Sequence, residues 1–155
     1  MIVDIRKFNL DTPLNELILH SETRKKWYGK IIDNYWNYLE FKTKSIKQNF
    51  DSHLFSDLIT FIIDEKKILF VLDEYSIKLS QNRNSAVFLL ALDDQQKLLA
   101  EFSQANFLHD FEIFCRDLNG SYYNYEFNEL AQTINNFREI VLKMDEKFGF
   151  IINIG

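Results

Sequence analysis

Apolar residues near both ends of the chain follow patterns that predict β-strands. Near the beginning, Ile2, Val3, Ile5 and Phe8 alternate with polar residues closely enough to predict a short strand over residues 1–8. The last apolar run, residues 148–154, predicts a closing strand. We therefore expect a strand at each end of the chain.

Intervals of three or four residues between apolar positions predict two helices in the first third of the chain. The first begins at Asp11-Thr12-Pro13, where a capping side chain precedes a proline. The second begins near Ser21 and carries large apolar side chains at helical intervals. These side chains are Trp27, Ile31, Tyr35, Tyr38 and Phe41.

The second predicted helix has a basic outer face. Its lysines are Lys25, Lys26, Lys30, Lys42, Lys44 and Lys47. Trp27, Tyr28, Tyr35 and Trp36 would suit contact with a membrane or a nucleic acid. Acidic residues interrupt the basic face, however, and the rings lie at core spacing, so we favour a solvated helix packed on the sheet. A second possibility is that this basic region associates with the acidic half of another copy of the chain.

The middle of the chain changes to short apolar runs with polar connectors, a pattern typical of a β-hairpin meander. The predicted strands are residues 58–63, 68–72, 75–79, 86–92 and 97–102. An alternative interpretation makes residues 52–63 a helix capped by Asp51 or Ser52, because short apolar runs fit both periods.

Two further helices are predicted in the last third of the chain. The first carries a stripe of apolar residues at intervals of three or four. The stripe consists of Phe107, Phe111, Phe114 and Leu118. Gly120 suits the left-handed position that ends a helix, and residues 121–127 then form a strand or a loop. The last helix is capped near Asn128, and its apolar stripe runs from Leu130 to Met144.

Together these elements predict one α+β domain over residues 1–155, an antiparallel β-meander backed by amphipathic helices on one face. A chain of 155 residues is long enough to bury about 70% of its unfolded surface. Fifteen Phe residues and a hydrophobic content of 46% supply the core. The longest apolar run, residues 86–92, is far shorter than a membrane span. The first residues lack the apolar core of a signal peptide, so we expect a soluble, cytoplasmic protein.

Charge is distributed unevenly along the chain. Residues 1–50 carry nine Lys or Arg and six Asp or Glu, whereas residues 51–155 carry nine and seventeen. The balance is +3 in the first part and −8 in the second, which gives the net charge of −5. A net acidic domain repels phosphate groups at long range. We therefore expect a basic protein partner and neither a nucleic acid nor a membrane.

Acidic residues beside a lysine in the middle of the chain have some catalytic potential. Asp64-Glu65-Lys66, with Asp57 upstream, has the acid-x-Lys spacing of some metal-dependent nucleases. The trio falls in a predicted polar connector between strands, where charged side chains are expected for solubility. We therefore interpret it as charged surface.

The single cysteine is the remaining candidate for chemistry. His109 and Cys115 could meet in space as a thiol–imidazole pair, so a thiol nucleophile stays open. Cys115 follows Phe114 in the apolar stripe, however, which is typical of a buried structural thiol. The four glycines are isolated, which excludes the common phosphate-binding loops. We expect no catalytic residue, no metal and no cofactor.

Residues 93–129 form an acidic, aromatic segment. It contains eight carboxylates opposed by Lys97 and Arg116, interleaved with eight aromatic side chains. Such a segment could present an anionic surface with rings to a cationic partner. The phenylalanines of the helical stripe fit the core, which leaves the tyrosines and acids for binding. The predicted partner-binding residues are Asp93, Asp94, Asp110, Glu112, Asp117, Tyr122, Tyr123, Tyr125, Glu126 and Glu129.

With these acids and Tyr122-Tyr123-Asn124-Tyr125, the chain resembles the small acidic immunity proteins that bacteria make against secreted toxins, including those of contact-dependent growth inhibition. The resemblance covers general architecture and charge, and no motif. It implies tight, non-catalytic binding of a toxin domain, often a basic nuclease, by blocking its active site or an adjacent surface. The alternatives are a small enzyme or ligand-binding protein with a pocket formed by tertiary contacts, or an adaptor module.

Overall fold

The computed structural model describes residues 1–46 and 50–155, and Lys47 of the predicted basic helix lies outside these ranges. The elements are β1 (Val3–Asn9), α1 (Leu14–Ser21), β2 (Arg24–Lys25), β3 (Ile31–Ile32), α2 (Tyr35–Lys42), β4 (Thr43–Ile46), α3 (Ser52–Asp64), α4 (Asp73–Arg83), β5 (Ala86–Leu90), α5 (Leu92–Phe102), α6 (Phe107–Asn119), a 3-10 turn (Gly120–Tyr122), α7 (Phe127–Val141) and β6 (Phe148–Ile154). No helix in the described ranges combines the length and the hydrophobicity that crossing a bilayer requires.

The main sheet has four antiparallel strands in the order β4-β1-β6-β5. The predicted end strands β1 and β6 form its centre, where Ile5 lies opposite Ile152. The α+β class with an antiparallel sheet is therefore confirmed. The strands do not follow one another as a meander, however, because the central pair joins the two ends of the chain.

Helices cover both faces of the sheet. Phe150 and Ile152 of β6 contribute to a first core with residues of α3, α5, α6 and α7. Ile151, on the opposite face of the same strand, contributes to a second core with residues of α1, α2 and α4. The prediction of helices on one face is therefore wrong. The continuous apolar run of β6 is the pattern of a strand that is buried on both faces.

Most of the predicted strands in the middle of the chain are wrong. Residues 58–63 belong to α3, as the alternative interpretation proposed, and Asp51 caps this helix by accepting a hydrogen bond from the Leu54 N–H at 2.9 Å. Residues 75–79 and 97–102 lie in α4 and α5, and residues 68–72 form a turn-containing connection. Of the five predicted strands, only the run at 86–92 contains one, β5. Short apolar runs fit helix and strand equally well, and packing on the sheet decided between them.

The predicted basic helix beginning near Ser21 is wrong at both ends, because its first half is not helical and Lys44 lies in β4. Residues 24–32 form a two-stranded hairpin, here called the basic hairpin, and the helix α2 begins only at Tyr35. Gly29 has a φ of +87° at the turn, a left-handed conformation that breaks a helix and favours glycine. By contrast, the helices α1, α6 and α7 are confirmed, and Gly120 ends α6 with a φ of +53°. The predicted caps are wrong in detail: no side chain of the described residues caps α1, and α7 begins at Phe127, so Asn128 lies in its first turn.

Candidate functional site

The predicted acidic residues lie at separate places on the molecule. Asp93 is exposed in the first turn of α5, two residues before Gln95, whose amide donates to the Val141 and Met144 carbonyls at and after the end of α7. Glu129 lies in the first turn of α7. A helix rises 1.5 Å per residue, so roughly 18 Å separate Glu129 from the end of this helix. The ten predicted residues therefore do not form one surface.

Asp94 lies inside the protein and is fully buried. Its carboxylate accepts hydrogen bonds from the Val71 N–H at 2.8 Å and from the Ala91 N–H at 2.9 Å. Burial raises the pKa of Asp94, although these two hydrogen bonds oppose that shift. The prediction that Asp94 contacts a partner is therefore corrected: its side chain holds the start of α5 against the 68–72 connection.

Glu112 faces a neighbouring cation on its own helix. Its carboxylate accepts from the Arg116 guanidinium at 2.7 Å, and the His109 ring nitrogen lies 3.9 Å away. The same guanidinium stands over the ring of Tyr123 at 4.6 Å. The negative charge of Glu112 is thus largely balanced within the molecule.

The three predicted tyrosines have different environments. Tyr122 is 87% exposed, whereas Tyr123 and Tyr125 pack edge to face, with ring centroids 5.8 Å apart, against the first core. The hydroxyl of Tyr123 is buried and has no hydrogen-bond partner among the described residues. Burial raises the pKa of Tyr125 to about 12. Among the three, Tyr122 is the ring that is open to a partner.

Glu126 and Glu129 mark the start of α7 and are both exposed. The Glu129 carboxylate accepts a hydrogen bond from the Glu126 N–H at 2.7 Å, which satisfies a donor that the helix leaves free. Glu129 therefore has a structural role in capping, whatever else it contacts.

Asp110 and Asp117 are brought together in a groove of about 470 Å³ between α3 and α6, here called the α3–α6 groove. Residues 110, 113, 114 and 117 recur at intervals of three or four, so one face of α6 carries all of them. The lining residues are Phe61, Glu65, Lys66, Asp110, Ile113, Phe114, Asp117 and Leu118. Three acids and one lysine thus line the groove within the described part of the chain.

The floor of the α3–α6 groove is apolar and partly open to solvent. Phe61 and Phe114 pack with their ring centroids 5.3 Å apart. Ile113 is 46% exposed and Leu118 is 54% exposed, although Leu118 belongs to the apolar stripe that predicts α6. Covering the exposed part of each aliphatic side chain would contribute roughly 1 kcal/mol to binding.

The charge of the groove is unbalanced. The ammonium of Lys66 donates to the Asp110 carboxylate at 2.8 Å, and it also lies 5.2 Å from the ring centre of Phe61. Glu65 and Asp117 form no ion pair within residues 1–46 and 50–155. Glu65 was not predicted as a partner-binding residue, because the pattern of apolar runs placed it in a connector between two strands. The helical alternative ended at residue 63, so neither interpretation placed Glu65 beside α6.

The candidate catalytic residues are not arranged for catalysis. Cys115 is fully buried, and burial raises the pKa of its thiol to about 12. His109 lies six residues earlier on the exposed side of α6, roughly 9 Å away along the helix axis. A protonated, inaccessible thiol at that separation does not form a nucleophile–base pair.

The acids of the nuclease-like pattern are also apart. Asp57 accepts a hydrogen bond from the Asn119 amide at 2.9 Å, and burial raises its pKa. Asp64 lies two turns further along α3, roughly 10 Å away, so the two carboxylates cannot share one cation. In the part of the chain that the structure describes, no three His, Cys, Asp or Glu side chains are grouped as metal ligands.

Comparisons with known proteins add no assignment: no protein-family model, no curated protein and no solved structure matches this chain.

Proposed function

We propose that this protein is a non-catalytic binding protein whose α3–α6 groove receives a basic segment of a partner protein. The observation that carries the proposal is the composition of the groove. Glu65 and Asp117 face solvent beside the exposed side chains of Ile113 and Leu118, while the lysine of the groove is already paired.

A groove of this kind suits a segment that combines cations with apolar side chains. The unpaired carboxylates would steer a cationic partner toward the groove and raise its association rate. Ile113 and Leu118 would then lose their exposed apolar area to the partner, which slows dissociation. The unpaired carboxylates therefore affect mainly the association rate, and the buried apolar area affects mainly the dissociation rate.

We further propose that the partner is a basic toxin domain and that the protein is an immunity protein, as in contact-dependent growth inhibition. This proposal is supported by the resemblance in size and charge and by the anionic groove. A nuclease toxin must carry cations where it binds nucleic acid phosphates, and an anionic protein surface competes for those cations. Its place of action would be the cytoplasm, where such a toxin reaches its substrate.

The first experiment identifies the partner. The tagged protein is purified from its own host, and co-purifying proteins are identified by mass spectrometry. The proposal expects a basic domain encoded beside this chain, and loss of toxicity when the two are co-expressed. A partner that is acidic or neutral, or a basic domain whose toxicity is unchanged by co-expression, would overturn it.

The second experiment tests the groove. Asp117→Lys is compared with Glu40→Lys, which changes the net charge equally but lies on α2, in the layer on the other side of the sheet. Titration calorimetry with the purified basic domain should show at least about tenfold weaker binding for Asp117→Lys and little change for Glu40→Lys. Equal affinities for the two variants would place the interface elsewhere.

A further inference from the structure

The basic hairpin exposes apolar side chains that a small protein ordinarily covers. Trp27 is 95% exposed, Tyr28 is 54% exposed and Ile31 is 64% exposed. Trp27 packs edge to face on Tyr28, with the ring centroids 5.5 Å apart. The hairpin has only two residue pairs in its ladder, Arg24 with Ile32 and Lys25 with Ile31. Exposed apolar side chains on a hairpin with only two residue pairs are expected to be covered by a binding partner.

Cations surround this apolar tip. Lys25, Lys26 and Lys30 form no ion pair within the described ranges, and Arg24 reaches Glu22 only at 3.8 Å. The ammonium of Lys26 lies 5.6 Å from the ring centre of Tyr28. The hairpin is therefore a cationic surface with an exposed tryptophan at its tip, and it calls for an anionic surface with an apolar floor.

The α3–α6 groove has these properties. Glu65 and Asp117 supply charge opposite to that of the three lysines, and Ile113 and Leu118 supply exposed apolar area for Trp27. Both surfaces belong to the same chain, and each carries the charge and the apolar area that the other lacks.

A molecule cannot place its own hairpin in its own groove. The hairpin adjoins α1 and α2, because Arg24 and Ile32 line one pocket with Leu19 and Asn34. Those helices pack on the second core, whereas the groove lies between two helices of the first core, on the other side of the sheet. The two surfaces can meet only between two molecules.

We propose that the basic hairpin of one copy docks in the α3–α6 groove of a second copy, with Trp27 as the apolar anchor and Lys30 facing Asp117. The contact joins two different surfaces, so it is a head-to-tail association rather than a two-fold symmetric one. It goes beyond the proposed immunity function and needs no toxin. If the toxin uses the same groove, self-association and toxin binding compete.

The other anionic partners that a basic hairpin can bind are lipid headgroups and single-stranded nucleic acid. Either would suit lysines around exposed rings. The net charge of −5 opposes approach to an extended anionic surface, however, whereas a second copy offers a local acidic groove. A second copy is therefore the favoured occupant.

The first test measures the mass of the isolated protein by sedimentation equilibrium between about 1 μM and 1 mM. A small contact of this kind predicts a weak, concentration-dependent association that decreases with salt. Trp27→Ala and Asp117→Lys should each weaken it by at least about tenfold. Lys30→Glu should weaken it too, whereas Lys143→Glu, the same charge change at an exposed position outside both surfaces, should not.

The second test uses the asymmetry of the contact. Trp27→Ala removes the hairpin anchor and keeps the groove, while Asp117→Lys damages the groove and keeps the hairpin. Each variant alone should be monomeric at concentrations where the natural protein associates. A mixture of the two should form a 1:1 dimer and nothing larger, because one intact hairpin and one intact groove remain.

Several results would overturn this inference. A natural protein that remains monomeric from about 1 μM to 1 mM would overturn the inference. Association that persists in both Trp27→Ala and Asp117→Lys would overturn it as well. Binding of the monomer to phosphatidylserine vesicles or to an oligothymidine, lost in Trp27→Ala, would reassign the hairpin to lipid or nucleic acid. None of these measurements includes a toxin, so their failure leaves the proposed immunity function to its own experiments.

Discussion

The ammonium of Lys66 donates to the carboxylate of Asp110 at 2.8 Å, which ties the second residue after the end of α3 to the first turn of α6. The pair crosses the α3–α6 groove at one end. It stabilises the two walls against each other and at the same time removes positive charge from the solvent-facing part of the groove.

Replacing Lys66 should therefore make the groove more anionic at a small cost in stability. Lys66→Met removes a partly exposed ion pair, which contributes only about 0.5–1 kcal/mol, and puts an apolar end where the ammonium lay 5.2 Å from the Phe61 ring centre. We expect a slightly lower free energy of unfolding in urea and tighter binding of a cationic ligand. Lys143→Met, at an exposed position, is the matched control. Weaker binding by Lys66→Met would show that the lysine itself contacts the ligand.

Removing the Asp94 carboxylate should destabilise the protein strongly. Asp94→Ala leaves the N–H groups of Val71 and Ala91 without their acceptor, and each partly buried donor costs about 1–2 kcal/mol. We expect the free energy of unfolding to fall by about 2–4 kcal/mol. Asp93→Ala, one residue earlier and exposed, should cost less than about 1 kcal/mol. Similar urea midpoints for the two variants would contradict the structural role of Asp94.

Two tyrosines should respond in opposite ways to loss of the hydroxyl. The Tyr123 hydroxyl is buried without a partner in the described structure, so Tyr123→Phe should be neutral or stabilising by up to about 1 kcal/mol. The Tyr35 hydroxyl donates to the Asn153 side-chain oxygen at 2.7 Å, and both residues are buried. Tyr35→Phe should therefore cost about 1–3 kcal/mol. Thermal unfolding of both variants tests the two predictions. A clear loss of stability in Tyr123→Phe would show that the Tyr123 hydroxyl has a hydrogen-bond partner after all.

The buried thiol of Cys115 should make the fold sensitive to alkali. Burial raises the pKa of this thiol from 9.0 to about 12 in the folded protein. Below pH 9 the thiol is protonated in both the folded and the unfolded protein, and the contribution of the buried thiol to the free energy of unfolding is fully present. Between pH 9 and about 12 the unfolded chain loses the proton while the folded protein retains it. The free energy of unfolding should then fall by about 1.4 kcal/mol per pH unit from this group.

Urea unfolding from about pH 8 to about pH 11 measures this slope. Cys115→Ala should lower stability at neutral pH through lost packing but show a shallower decrease above pH 9 than the natural protein. Tyr125, whose pKa burial raises from 10.0 to about 12, should supply part of the remaining slope. Identical slopes in both proteins would contradict burial of the thiol.

The elements with long periodic patterns were predictable from the sequence. The stripe of Phe107, Phe111 and Phe114 specifies α6, and Gly120 specifies its end, because these signals extend over several turns. Where runs were short, as at 75–79 and 97–102, strand and helix patterns coincide, and the interpretation as strands was wrong. Local patterns of four to six residues contain too little information to separate the two periods.

The candidate site was only partly predictable. The sequence pointed to Asp110 and Asp117, but it also grouped them with Asp94, which is buried, and with Glu112, which Arg116 balances. Nothing in the local pattern around Glu65 indicated that it shares a groove with α6. That contact joins residues about fifty positions apart, and it depends on how α3 packs against α6.

The sequence by itself determined the α+β class, the end strands, the long helices and the excess of acid in the second part of the chain. The tertiary structure alone decided that helices cover both faces of the sheet and that acids from α6 meet Glu65 beside an apolar floor. It also decided that Trp27 stands in solvent rather than in the core. Composition and periodicity report what each segment can bury, whereas the position of a charge or a ring relative to another segment is set by packing across the whole chain.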